Sequence, residues 1–174
     1  MTLTKLTSSI ALGAALLFSG SAGGAVLAAQ ADIDLLKSYL GEWRGRGSTT
    51  TANGTESVAC RLSITDAGVE KVNYNGRCTL AGGTISIKGT MAFVTADNRY
   101  EAVMTSSTSF AGIAIGKRRG TGIDFDLRDR DTESGKEYAI AAGFELEDEA
   151  ITLDFKVTEV ETGRESSALI PFEK

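Results

Sequence analysis

The chain has 174 residues with 18 Lys+Arg against 23 Asp+Glu, a formal net charge of −5 that argues against electrostatic binding of nucleic acid. At 42% hydrophobic and 24% charged it has the composition of a globular protein, with length for one sizeable core and not for two. It contains no histidine, which removes the commonest general base, the commonest metal ligand and the proximal ligand of most His-bound haems.

The chain opens on MTLTKLTSS, one Lys and no acid, followed by an apolar run from Ile10 to Phe18 and the small-residue stretch SGSAGGAVLAAQ. This is the pattern of a secretory signal peptide over residues 1–28, with Val26-Leu27-Ala28 ahead of a cut after Ala28 or Ala29. The apolar run is too short and too broken by Gly to span a membrane. Residues 29–174 are then one exported domain, periplasmic or secreted.

Within that domain Asp32 to Leu40 has helical spacing of Ile33, Leu36 and Leu40, with Asp32 as N-cap and Gly41 as stop. Beyond it the rhythm changes to alternation. Strands are expected over 42–51, 56–65, 71–80, 83–94, 99–107, 109–117, 121–129, 135–146, 150–159 and 165–173, separated by Gly, Asn and Asp clusters. Pro171 is the lone proline and belongs at an edge or a break in a ladder.

Export makes Cys60 and Cys78 a disulfide pair, and strand register tests the idea. Placing Cys60 opposite Cys78 puts Leu62 opposite Gly76, Ile64 opposite Tyr74 and Val58 opposite Leu80, all on the apolar face. A slip of one residue would bring Arg61, Ser63 or Asn75 there instead. Further along, a Thr162-Gly163 turn sets Val157, Phe155 and Leu153 opposite Ala168, Ile170 and Phe172. A Glu147-Asp148 turn sets Phe144, Ala142 and Ile140 opposite Ile151, Leu153 and Phe155. Successive hairpins with one apolar face and no crossover describe an all-β, antiparallel up-and-down barrel of about ten strands behind one short helix.

At the helix-to-strand junction the sequence reads Gly41-Glu42-Trp43-Arg44-Gly45-Arg46-Gly47. This heptad resembles the opening of calycin-type barrels, including lipocalins and especially the ten-stranded nitrobindin-like barrels. The resemblance implies that Trp43 packs over a closed barrel end and that the glycines let the strand bend. It also implies haem ligation through a His in the nitrobindin-like group, and this chain has none.

Without His there is no Ser-His-Asp triad or Cys-His dyad, and bridged cysteines leave no thiolate. The acidic set Asp124, Asp126, Asp129 and Asp131 reads as a solvated face, Asp124 and Asp126 alternating outward against Ile123, Phe125 and Leu127. A calcium loop starting at Asp129 fails because Ser134 replaces the turn glycine and Ile140 the bidentate Glu. No catalytic residue, metal or cofactor is therefore assigned. Lys117-Arg118-Arg119 forms a basic hairpin tip, a solvated turn or an anion contact at a barrel mouth. Tyr74, Tyr100 and Tyr138, with Phe93, Phe110, Phe125, Phe144, Phe155 and Phe172, are candidates to fill the lumen, where Gly76, Gly89 and Gly112 would leave space. The expected function is non-catalytic binding of a small apolar or amphipathic molecule, with Trp43, the three tyrosines and the 117–119 cluster as binding candidates. The alternative is a cell-envelope interaction or inhibitor module acting through its outer surface, and a lumenal carboxylate-driven enzyme ranks third.

Overall fold

Alternation of apolar and polar side chains carries most of the described residues into strands. The computed structural model describes residues 22–107, 111–131, 134–147 and 149–174, the first four by backbone alone. One helix, α1 (Ala22–Ser38), precedes β1 (Gly41–Thr51), β2 (Gly54–Asp66), β3 (Lys71–Leu80), β4 (Gly83–Val94) and β5 (Arg99–Ser106). The second half follows as β6 (Ala111–Arg119), β7 (Gly122–Arg130), β8 (Glu137–Glu147), β9 (Ala150–Glu159) and β10 (Glu165–Glu173). Each strand pairs antiparallel with its sequence neighbours and β1 pairs with β10, closing the barrel. Closure leaves no edge strand open to pairing with other chains.

The helix starts ten residues before the expected Asp32, because the Ala-rich segment ahead of it also favours helix. Asp32 therefore lies inside the helix rather than capping it, and the expected cleavage point falls within the helix as well. Most of the expected leader lies outside the described residues.

The β2–β3 ladder has the expected register: Cys60 pairs with Cys78, Leu62 with Gly76 and Ile64 with Tyr74. The two cysteines are joined in a disulfide. Both C-terminal hairpins differ from expectation by two residues. In β9–β10, Phe155 pairs with Ala168, Leu153 with Ile170 and Ile151 with Phe172. The turn there is longer than Thr162-Gly163: Glu159 N–H donates to the Arg164 carbonyl at 2.9 Å, and Gly163 sits at φ 67°. In β8–β9, Phe144 pairs with Leu153, Ala142 with Phe155 and Ile140 with Val157. That turn falls one residue later, with Glu147 opposite Ala150 and Glu149 at φ 65°. A two-residue slip keeps the same side chains inward, so hydrophobic pattern cannot detect it; turn geometry decides.

The heptad's glycines serve close approach of strands. A Cβ at Gly47 would lie 2.0 Å from the Leu169 carbonyl oxygen, and one at Gly45 would lie 2.7 Å from Ile170 Cγ2 and 2.8 Å from the Pro171 carbonyl oxygen. The β1–β10 pairing is interrupted between Gly45–Phe172 and Ser48–Leu169, and Pro171 lies in that gap. There its missing N–H costs no ladder bond to β1.

Candidate functional site

The two ends of the barrel differ sharply in burial. At the end formed by the β2–β3, β4–β5, β6–β7 and β8–β9 turns, Trp43, Val72, Phe93, Tyr100, Ile123, Ile151 and Phe172 are at most 2% exposed. Helix α1 covers this end with Ile33 and Leu36, and Tyr39 follows just past its last turn; all three are buried. Polar latches hold it down: Lys37 Nζ reaches Asp66 Oδ2 at 2.8 Å and the Lys71 carbonyl at 2.9 Å, and Tyr39 Oη donates to the Phe144 carbonyl at 2.9 Å. Tyr100 Oη donates to Asp32, which also pairs with Arg118 at 3.3 Å. Burial pushes the Tyr39 and Tyr100 phenols up, so both stay neutral donors.

At the opposite end Leu80, Ser106, Tyr138, Val157 and Ser166 are only half-buried, and Ile85, paired with Cys78, is 38% exposed. The barrel is thus stoppered at one end and open at the other. Between them lies a cavity of about 110 Å³, with Met91, Met104, Phe125, Phe144, Phe155 and Phe172 among its lining residues. Leu62, Cys78, Ile87 and Ala142 also line it, and Arg61, exposed on the wall, is the one charged residue at its border. The polar side-chain atom among the inward lining is Tyr74 Oη, which is 3.2 Å from the Val103 carbonyl and donates to it. Burial pushes that phenol up to about 12. Such a lining offers dispersion contact and desolvation and, among the described residues, no free side-chain hydrogen-bond donor.

The binding candidates scatter across this geometry. Tyr74 lines the cavity. Trp43 does not: it is 1% exposed beneath the helix, its Nε1 donates to the Tyr39 carbonyl at 2.9 Å, and Lys174 Nζ lies 5.0 Å from its ring centroid. Tyr100 belongs to the helix latch. Tyr138 lies at the open end, opposite Asp129 and Glu159 in the ladders. Lys117, Arg118 and Arg119 end β6 on the helix-covered side, not at the entrance, with Arg118 on Asp32 and Arg119 on Asp124. Phe110 lies outside the described residues.

Of the glycines expected to leave space, Gly89 and Gly112 do not: Tyr74 lies over the first and Leu127 over the second, 2.6 and 2.9 Å from where a Cβ would stand. Gly76 does line the cavity, with Ala102, Ala114 and Ala142. Sequence reasoning also passed over Glu159, which is 5% exposed at the open end. Its carboxylate takes Lys136 at 2.8 Å, Thr162 Oγ1 at 2.9 Å and Arg164 at 3.8 Å, tying the β7–β8 and β9–β10 loops together. Those partners, Lys136 first, hold its carboxyl below the usual range. The run Phe155, Val157, Glu159 on the inward face of β9 was the available signal. Among the described residues no group of three or more His, Cys, Asp or Glu is placed to hold a metal ion.

No family model matches the chain, and no curated protein matches it. Solved structures do. Rv2717c from M. tuberculosis superposes with a TM-score of 0.64 and 16% sequence identity, over 82% of this chain and 98% of that one. The S-type phycobiliprotein lyase CPES from Guillardia theta superposes with a TM-score of 0.61 and 9% identity, over 81% of this chain and 90% of that one. The chain is a ten-stranded, calycin-like barrel. At these identities the likeness carries the fold alone. Among the described residues no helix is long and apolar enough to cross a membrane.

Proposed function

We propose that the mature chain, freed of a leader ending at Ala28 or Ala29, is an exported, periplasmic or secreted, non-catalytic barrel that holds a small apolar molecule or the apolar part of an amphipathic one. The observation that carries this reading is the apolar cavity lying between a helix-stoppered end and an open one. Its volume of about 110 Å³ approaches that of the roughly 150 Å³ apolar cavities that stay dry and bind benzene or xenon. A single small ring or a short stretch of alkyl chain fits inside, with the rest of a larger ligand leaving through the entrance. The structural neighbour from Guillardia theta is by its name a lyase. Among the described residues this cavity's lining supplies no carboxylate or free thiol, which favours holding a ligand over converting it.

The proposal is tested by native mass spectrometry of protein purified from its own host, together with titration of an apolar fluorescent probe into wild type and Ala142→Phe. A ligand-mass adduct and saturable probe binding, abolished when the Phe ring fills the cavity, support a carrier. A bare mass with no probe binding overturns it. The envelope-interaction reading has its own support in the outer surface, where one strand presents large aliphatic side chains to solvent.

A further inference from the structure

Strand β6 is apolar on the wrong side. Its inward positions are Gly112, Ala114 and Gly116, while Ile113 and Ile115 point outward and are 56% and 37% exposed. The inner face has a local cause: a Cβ at Gly112 would lie 2.9 Å from Leu127 Cδ1, and one at Gly116 2.6 Å from Phe125 Cε1, so β7 side chains already fill that space. Nothing inside the barrel accounts for the outer isoleucines. On β1 to β3 the outward residues are polar apart from Ala59.

The feature extends sideways. Val103 pairs with Ile113 across the β5–β6 ladder and is 51% exposed, forming an aliphatic ridge with Ile113 and Ile115. Beyond β7, Ala139 and Ala141 floor a shallow groove on β8 that Ile115 also borders. Between ridge and groove run the outward side chains of β7, which read Asp124, Asp126, Arg128, Arg130. Two acids followed by two bases are their own complement when the same strand is laid antiparallel against them.

We propose that the outer face of β5 to β8 is the contact surface of a homodimer whose two-fold axis runs across the strands between Asp126 and Arg128. That axis sets Asp126 against the partner's Arg128, Asp124 against the partner's Arg130 and Ile113 against the partner's Ile115, each contact made twice. Self-complementarity is what an isologous interface requires, and an unrelated partner would have no use for it. Asp126 is exposed and takes part in no ion pair among the described residues. The pairs of Asp124 with Arg119, and of Arg128 and Arg130 with Glu137, are solvent-facing and exchange readily for intermolecular ones. The footprint spans about 20 Å along β7 and four strands at about 4.8 Å spacing. That is less than the roughly 800 Å² per partner of a standard interface, so the dimer is weak. The contact lies on the barrel wall and leaves the open end free.

Sedimentation equilibrium of the oxidised mature protein, from about 1 µM to about 500 µM, tests this. Wild type should dimerise in that range, and Asp126→Arg, Arg128→Asp and Ile113→Asp should each weaken the dimer at least about tenfold. An equimolar mixture of Asp126→Arg and Arg128→Asp should recover dimer, because the altered side chain of each meets the altered side chain of the other. The proposal is overturned if wild type stays monomeric throughout, if a single charge reversal leaves its association unchanged, or if the mixture fails to recover it. Probe binding in the cavity is measured separately and does not bear on any of these outcomes.

Discussion

Replacing Trp43 with Ala tests whether the helix and the first strand form one structural unit. The indole is 1% exposed, and its Nε1 holds the Tyr39 carbonyl, which lies just past the end of α1. Emptying a buried site of this size costs about 3–5 kcal/mol. The substitution also leaves a buried carbonyl without its donor, a further roughly 1–3 kcal/mol where water cannot reach it. The two losses overlap, so the expected change is about 4–5 kcal/mol, a large share of the 5–15 kcal/mol or so typical of a domain. Trp43→Phe keeps a ring and loses the N–H donor, and should fall between Trp43→Ala and wild type. Because Trp43 is the single tryptophan, urea unfolding must be followed by far-ultraviolet circular dichroism rather than by its fluorescence. A loss below about 1 kcal/mol for Trp43→Ala would refute the plug assignment, since only an exposed aromatic is removed so cheaply.

Three other outcomes follow from the geometry. Gly47→Ala forces a Cβ to 2.0 Å from the Leu169 carbonyl oxygen and should cost about 1–3 kcal/mol or open the β1–β10 seam, read as lower urea stability and faster amide exchange in β1 and β10. Replacing both Cys60 and Cys78 with Ser removes a bridge across a sequence separation of 18 and should cost about 3 kcal/mol by chain entropy; peptide mapping that finds two free thiols in wild type purified without reductant would remove the premise. The native Glu159 carboxyl is held below its ordinary value of 4.5, so its contribution to stability is present above that pH and is lost as pH falls through the native value. Glu159→Gln should therefore show a flatter acid limb in urea stability than wild type, and equal acid limbs would contradict the Lys136–Glu159 latch.

How much of this was legible beforehand depended on what each signal could resolve. Alternation placed all ten strands within about two residues of their bounds, because one face is buried along the whole circuit. The Cys60–Cys78 register was readable because a one-residue slip would have turned Arg61 inward. The β8–β9 and β9–β10 registers were not, because a two-residue slip conserves every inward side chain and the deciding φ angles at Glu149 and Gly163 have no counterpart in hydropathy. The site was less legible than the fold. Tyr74 was readable as lumenal from its parity. The end occupied by the Lys117–Arg119 cluster follows from strand order, since the β6–β7 turn shares the end at which α1 leads into β1; what the sequence did not give is that Asp32 and Asp124 would take up Arg118 and Arg119 there. Met91 and Met104 carried no distinguishing signal in the sequence; Met91 lies level with small Ala102 and Ala114, Met104 with Gly89 and Gly112, and both line the cavity.

Entry of an apolar molecule into the barrel is read by titrating benzene or toluene into protein methyl-labelled at Met and Ile and following the methyl resonances by NMR. Saturable shifts are expected at Met91, Met104 and Ile87, which line the cavity, and none at the outward Ile113 and Ile115. Absence of saturable shifts at the lining methyls, or shifts confined to the outer isoleucines, would contradict such entry.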